Sequence, residues 1–338
     1  MDIINANHDL YKDIATIIEN GRRDIYMQAN RGTVLLFWKV GKRVNDEILD
    51  SKRADYGRQI VVTLSRQLTE KYGRSFEEKN LRRMLQFVEQ FPDEEIVVTL
   101  SRQLSWSHFL ALIPLKTTEA KMFYAKESFD GVLGVRELRK LIERKAYERR
   151  EIADTQISST SPVPPGTFKD PYLFDVLGLK DEYSEDDVEE AILHELQKFI
   201  LEFGKGFAFV ERQKRMIIDG HDRTLDLLFF NRHLKRLVAV ELKQGRFNAR
   251  DSGQMKLYLK WLNRYERQDG ENEPIGLILC SESGREEIEL LEIDKDGIIV
   301  AEYWTTLPPK AEMEQKIQRL FVETRERVAQ RKLLSENV

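Results

Sequence analysis

The spacing of apolar residues changes near the middle of the chain, and this change limits the folds that the sequence can adopt. Up to about Arg150, apolar residues recur every three or four positions, as they do along one face of an amphipathic helix. Two such stripes are Ile14, Ile17 and Ile18, and Leu81, Met84, Leu85 and Val88. Farther along, short apolar runs bounded by glycine or polar turns predict strands. The sequence therefore predicts a mainly α-helical N-terminal domain followed by a domain with a β-sheet.

The second half alternates predicted helices with predicted strands. We predict helices at about residues 184–203, 249–265 and 310–334, and strands at 206–212, 224–230, 237–242, 275–280 and 297–303. Helices packed against a sheet of this kind form an α/β or α+β core.

A segment rich in helix and strand breakers lies between the two halves. Ser158 to Gly166 contains three prolines and little that could be buried. Since 338 residues are typical of two domains, we place a linker here. The predicted parts are a helical domain at 1–155, the linker at 156–170, a core domain at 171–308 and a C-terminal helix at 309–338.

The charge composition argues against a protein that coats nucleic acid without specificity, because the formal net charge is −4 and the pI is near 5.9. Carboxylates gathered at one site could still offset basic patches elsewhere.

The single cysteine, Cys280, excludes a disulfide scaffold and favours a reducing, cytoplasmic location. The first residues lack the pattern of a signal peptide, and no apolar run approaches the roughly 20 residues of a membrane helix. We therefore expect neither feature.

Acidic residues interrupt two of the apolar strands. Asp226 lies within Leu225–Phe230, while Glu241 and Lys243 end the run that begins at Val238. Since side chains alternate along a strand, Glu241 and Lys243 share one face. If the two strands pair as a hairpin, Asp226 and Glu241 approach each other, and their charges repel unless a cation lies between them. This pattern is typical of a Mg²⁺ site that binds phosphate oxygens, although a structural ion pair would give the same spacing.

Basic residues cluster in sequence near these strands and are candidates for holding a nucleic-acid backbone. The predicted nucleic-acid-binding residues are Lys205, Arg212, Lys214, Arg215, Arg246 and Arg250.

Asp226 followed by Glu241-Leu242-Lys243 resembles the signature of the PD-(D/E)XK nuclease superfamily, although Leu225 stands where the superfamily's name has proline. Flanking segments are similar to the YhcG-like branch of that superfamily. They are Lys169–Tyr172, Gly204–Gln213, Asp226–Phe230, Gly253-Gln254, Ile275–Cys280 and Val300–Tyr303, with Leu104–His108 and Arg136–Leu138 in the helical half. The resemblance implies a restriction-endonuclease-like α/β core with a mixed central sheet, preceded by a helical, winged-helix-like domain that binds DNA or a partner.

The resemblance also implies roles for individual residues. Asp226 and Glu241 would bind the metal, Lys243 would be the catalytic lysine, and Gln254 would lie beside the active site. A metal-binding glutamate is expected on the first core helix. Glu189 matches it best, with Glu190 and Glu195 as alternatives.

The leading hypothesis is a Mg²⁺-dependent endonuclease or exonuclease that hydrolyses DNA in DNA processing or in defence against foreign DNA, with Mn²⁺ able to replace Mg²⁺. The alternative is a nucleic-acid-binding or assembly protein whose nuclease core is inactive, and RNA stays open as a substrate. A homo-oligomer could form through the helical domain or the C-terminal helix.

Overall fold

The computed structural model describes residues 2–50, 54–175, 184–204, 206–305 and 307–336. The chain divides into two compact units, Met1–Glu143 and Arg144–Val338.

Unit 1 is built from helices. They are α1 (Asp2–Asp50), α2 (Ala54–Tyr72), α3 (Glu78–Gln90), α4 (Glu94–Leu100), α5 (Trp106–Leu112), α6 (Thr118–Gly131) and α7 (Val135–Glu143). The C-terminal half of α1 packs with α2 and α3 around Phe37, Val44 and Met84. The helical prediction is confirmed. Within the described part of unit 1 there is no strand, so the winged-helix aspect of the resemblance stays a prediction.

Gly41 marks the closest approach of α1 to α3. A Cβ added at Gly41 would lie 2.2 Å from the backbone oxygen of Met84. A side-chain rotation cannot relieve this clash, because the clashing atom belongs to the backbone. We therefore expect Gly41→Ala to lower the free energy of unfolding by about 1–3 kcal/mol, as overpacking does. Urea denaturation followed by circular dichroism measures this change. A variant as stable as the wild type would mean that the two helices do not approach this closely.

Unit 2 combines helices with a six-stranded mixed sheet. Its helices are α8 (Ala146–Asp154), α9 (Glu185–His194), α10 (Leu196–Phe203), α11 (Ala249–Tyr265), α12 (Arg285–Leu291) and α13 (Lys310–Glu336). Its strands are β1 (Tyr172–Leu173), β2 (Phe207–Ile218), β3 (His221–Asn231), β4 (Arg236–Arg246), β5 (Ile275–Glu282) and β6 (Ile298–Trp304). The strand order is β1-β6-β5-β4-β3-β2. β2, β3 and β4 are antiparallel, while β4, β5, β6 and β1 are parallel.

Both faces of this sheet are covered, because its central strands are apolar on both sides. One core layer joins the sheet to Phe199 and Phe203 of α10, and the other joins it to Tyr258 and Leu262 of α11. The chain therefore has a mainly α N-terminal part and an α/β core with a mixed sheet, and the predicted fold class is confirmed.

The division between the units lies earlier than the linker that we placed at 156–170. That segment packs against unit 2, because Val163 and Phe168 are buried in the same core layer as the sheet. Helix α8 also lies in unit 2. The break near the boundary is at Lys145, whose left-handed backbone separates the end of α7 from the start of α8.

The C-terminal helix packs on its own unit. Met313, Ile317 and Phe321 are buried, and the Phe321 ring lies 6.1 Å from that of Tyr147 on α8. In the described part of the chain, no helix is long and apolar enough to cross a membrane.

Candidate active site

The site begins with the pairing of two central strands, β3 and β4. They form the hairpin that the sequence predicts, closed where Asn231 pairs with Arg236. At the other end Leu227 pairs with Val240, so the same register places Asp226 opposite Glu241. Asp226 Oδ2 accepts a hydrogen bond of 2.7 Å from the backbone N–H of Leu242, which fixes the carboxylate against β4.

Glu241 is the most buried charged residue of this site, with 4% of its surface exposed. Its Oε1 accepts hydrogen bonds from Lys243 Nζ at 3.1 Å and from Gln254 Nε2 at 2.9 Å. Its Oε2 is buried and has no hydrogen-bond partner among the residues that the structure describes. An unsatisfied carboxylate oxygen in such a place is costly unless a further group binds it.

Burial and nearby negative charges raise the pKa of both carboxylates. Burial raises the pKa of Asp226, and the charges of Glu189 and Glu185 add to this effect. Burial and the charge of Asp226 raise the pKa of Glu241. Burial opposes the charge on Lys243, but the attraction of Glu241 outweighs it and raises the pKa of the lysine. A positive charge between the carboxylates would stabilise their ionised forms.

Two residues that sequence reasoning missed support the site. Tyr258 OH accepts a hydrogen bond of 2.7 Å from Gln254 and donates one of 3.1 Å to the carbonyl of Thr224. Tyr258 follows Gln254 by four positions, so their shared helix face was a signal in the sequence. Glu185 Oε2 lies 3.9 Å from Lys243 Nζ, and its Oε1 accepts from the backbone of Gln244. This contact comes from the tertiary fold and left no local signal.

Glu189 is buried at 6% exposure on α9, and its Oε2 accepts a hydrogen bond from Gln213. The negative charge of Glu189 contributes to the raised pKa of Asp226. Among the described residues, however, no three His, Cys, Asp or Glu side chains form a group that could hold a metal. The structure thus brings Asp226, Glu241, Lys243 and Gln254 together, while the three-carboxylate set that includes Glu189 stays a prediction.

The predicted nucleic-acid contacts differ in their surroundings. Lys214 forms ion pairs with Glu211 at 3.1 Å and Glu266 at 2.9 Å, and Arg215 forms one with Asp222 at 2.8 Å. Three others are exposed: Arg212 lies on β2, Arg246 at the end of β4 and Arg250 at the start of α11. Lys205 lies outside the described residues.

Known families match both halves of the chain. The sequence profile described as the YhcG PDDEXK nuclease domain matches residues 166–318, and that of the DUF1016 N-terminal domain matches residues 13–149. A protein of Escherichia coli (strain K12) named "Putative nuclease YhcG" is 32% identical over 349 residues, covering 92% of this chain and 93% of that protein. The chain belongs to the YhcG nuclease family.

Three solved structures also match part of this YhcG family member. The first is a repair endonuclease from Pyrococcus abyssi, which is 24% identical over 38% of this chain and 50% of that one. The second is EndoMS in apo form, which is 21% identical over 38% of this chain and 49% of that one. The third is an EndoMS–dsDNA2 complex, which is 22% identical over 39% of this chain and 48% of that one, and the TM-score is 0.26 in all three cases. In each case the match spans about half of the solved chain or slightly less.

The residues of this YhcG family site fit a divalent cation. Glu241 Oε2 is buried and accepts no hydrogen bond from any described residue, and Asp226 lies opposite Glu241 in register. Carboxylate oxygens are the ligands that Mg²⁺ prefers.

Proposed function

We propose that this member of a nuclease family is a divalent-metal-dependent hydrolase of DNA phosphodiester bonds. The observation that supports the proposal is the state of the Glu241 carboxylate. One of its oxygens is held by Lys243 and Gln254, while the other is buried and has no hydrogen-bond partner in the described part of the chain.

Asp226 and Glu241 would hold the cation, and Glu189 is the third ligand that we propose. When bound, a divalent cation polarises the phosphoryl group and lowers the pKa of bound water. We propose Mg²⁺ as the physiological ion, with Mn²⁺ able to replace it.

Lys243 would act on the water and on the scissile phosphate. Its ammonium group is held 3.1 Å from Glu241 and is only partly exposed, so its donors have few orientations. From this position it would orient the attacking water and stabilise the negative charge that develops on the phosphate oxygens. Gln254 would keep Glu241 Oε1 in place, and Tyr258 would keep Gln254 in place.

The exposed arginines Arg212, Arg246 and Arg250 are the best candidates for binding the phosphate backbone, because opposing carboxylates already engage Lys214 and Arg215. Lys205 remains a candidate on sequence grounds. We propose a cytoplasmic role in DNA processing or in defence against foreign DNA, since the one cysteine, Cys280, is a buried free thiol.

The test is a cleavage assay with purified full-length protein. Supercoiled plasmid, linear duplex DNA and single-stranded RNA are each incubated with Mg²⁺, with Mn²⁺ or with EDTA. We expect metal-dependent cleavage of DNA, with loss of supercoiling indicating an endonuclease and shortening from the ends an exonuclease. The variant Asp226→Asn should be inactive, whereas Asp269→Asn, in the exposed loop after α11, should cut like the wild type. DNA binding without cleavage would instead favour the inactive core, and cleavage of RNA alone would contradict the DNA substrate.

A smaller effect is expected for Tyr258→Phe. The change removes only the hydroxyl that links Gln254 to Thr224, while Gln254 keeps its hydrogen bond to Glu241. We expect stability to fall by about 1 kcal/mol and the cleavage rate to fall by less than in Lys243 variants. Thermal unfolding and single-turnover cleavage measure the two effects. A rate as low as that of a Lys243 variant would show that Tyr258 does more than position Gln254.

A further inference from the structure

The first half of α1 carries an apolar stripe that faces solvent. We define the α1 stripe as Leu10, Tyr11, Ile14, Ile17, Ile18 and Ile25. All six side chains are exposed, and those of Tyr11, Ile17 and Ile25 reach 71%, 69% and 70%. At 3.6 residues per turn they fall within a band about 120° wide. Six large apolar side chains aligned on an exposed helix are more than the scattered exposure normal for a protein surface.

The core of unit 1 lies on the other side of the same helix. The second half of α1 buries Val34, Phe37, Trp38 and Val44. Projected along the helix, the centre of this buried face lies about 180° from the centre of the α1 stripe. The face of α1 that packs on the core of unit 1 is therefore opposite the α1 stripe, and further packing on that face would leave the α1 stripe exposed.

Two glycines lie on the same face of α1 as the α1 stripe. Gly21 and Gly32 lie in its band. Leaving aside the adjoining backbone of α1 itself, a Cβ at either position would meet no atom of the described residues within 4 Å. Glycine lowers the stability of a helix interior, and the packing of the described residues does not require it here. Close approach of another helix along the band would require it.

The spacing of the band is that of a coiled coil. Tyr11, Ile18, Ile25 and Gly32 recur every seven residues, and Ile14 and Gly21 fall three residues after the first two of them. This is the alternating three-and-four pattern of helices that pair along a seam.

The distribution of charge along the first half of α1 favours a second copy of this helix as the partner, and it favours an antiparallel orientation. Residues 10–20 carry a net charge of −1, from Lys12, Asp13 and Glu19, whereas residues 22–32 carry +2, from Arg22, Arg23, Asp24 and Arg31. A second copy running antiparallel, with the two helices crossing near Gly21, would place the acidic stretch opposite the basic one. A parallel copy would place like charges side by side. An antiparallel pair of identical helices is also closed by a two-fold axis, which limits assembly to a dimer.

We propose that two copies of this chain form a homodimer through the α1 stripe, with the helices antiparallel and crossing near Gly21. The interface is argued from residues of unit 1 alone, and the proposal does not rest on the proposed function.

Sedimentation equilibrium of the full-length chain tests the interface. We expect the wild type to have close to twice the chain mass of 39.8 kDa. The double variant Ile18→Glu with Ile25→Glu should have the mass of one chain at the same concentration. The matched control, Thr16→Glu with Asn20→Glu, adds the same charge to exposed positions on the opposite face of α1 and should stay dimeric. A monomeric wild type, a dimeric stripe variant or a monomeric control would overturn the proposal.

Cysteine cross-linking tests the direction without disturbing the fold, since the changed positions are exposed and Cys280 is buried. With a short bismaleimide, Gly21→Cys should link to its own copy. Tyr11→Cys alone should not, because antiparallel copies of that position lie about 30 Å apart along the helix. A mixture of Tyr11→Cys and Gln28→Cys should link. Efficient linking of Tyr11→Cys to itself would contradict the antiparallel arrangement.

Discussion

Replacing Lys243 with methionine is expected to lower the rate of DNA cleavage by about 10²–10⁴-fold, the range for losing a positioned proton-transfer group or charge-stabilising donor. Methionine keeps the length and apolar stem of the side chain but removes the ammonium group that lies 3.1 Å from Glu241. In the proposed mechanism, the attacking water and the developing phosphate charge would then lose a cationic donor. Single-turnover cleavage at saturating metal measures the chemical step alone.

The matched control is Lys256→Met on α11. Lys256 lies in the same unit and forms a surface ion pair with Asp296 at 2.7 Å, away from the four residues of the site. Its variant should cleave at the wild-type rate. If Lys243→Met cleaves as fast as Lys256→Met, Lys243 has no part in the reaction and the assignment of the site is wrong.

The largest expected effect on stability is at Glu202 on α10. Its carboxylate is buried and forms an ion pair with Arg149, whose side chain is 1% exposed. Arg149 also donates hydrogen bonds to the carbonyls of Arg144 at 2.8 Å and Pro171 at 3.0 Å. Glu202→Gln would keep the shape of the side chain but would remove the carboxylate that forms the ion pair with the buried Arg149. We expect the free energy of unfolding to fall by about 3–5 kcal/mol.

The same group gives a pH dependence of defined sign. Burial alone would raise the pKa of Glu202, but the positive charges of Arg149 and Lys169 outweigh it and lower the pKa from 4.5 to about 2. Because the folded state binds this proton less readily than the unfolded state, the stabilisation is complete above pH 4.5 and is lost as the pH falls toward 2.

Denaturant unfolding as a function of pH measures both effects. Between pH 4.5 and 2 the stability of Glu202→Gln should fall less steeply than that of the wild type. Glu286→Gln, at an exposed position on α12, serves as the control and should follow the wild-type curve. A Glu202→Gln variant with wild-type stability at neutral pH would contradict the buried ion pair.

Local patterns in the sequence were enough to predict most of the core. Helix α11 was predicted at 249–265, as observed, because its polar start and apolar face are both local signals. The β3–β4 hairpin and the proximity of Asp226 to Glu241 followed from strand alternation and the turn between them. Strand β2 was predicted to end at Arg212, but it continues to Ile218 because it pairs with β3. The periodicity of a sequence does not show which strands will pair.

Other features depended on tertiary contacts and could not be predicted. The helix predicted at 184–203 is broken at Glu195, where α9 ends and α10 begins. The nine residues Ile60–Leu68 recur unchanged as Ile96–Leu104, yet the first copy lies inside α2 and the second leaves α4 after Leu100. Flanking residues and packing therefore decide where an identical segment ends its helix.

The candidate site shows the same limit. Residue types and spacing selected Asp226, Glu241 and Lys243, and the family resemblance added Gln254. The fold brings these four residues together. Spacing could not reveal that Lys214 and Arg215 are engaged by carboxylates, since Glu266 and Asp222 reach them only in the folded chain.

The most direct test of the central claim is the location of Mn²⁺ in crystals of the full-length protein. Anomalous diffraction identifies the ion without reference to activity. We predict one peak within bonding distance of carboxylate oxygens of both Asp226 and Glu241, and its loss in crystals of Asp226→Asn. The absence of a peak at saturating Mn²⁺, or a peak that touches neither residue, would contradict the assignment of this site as a metal-dependent nuclease centre.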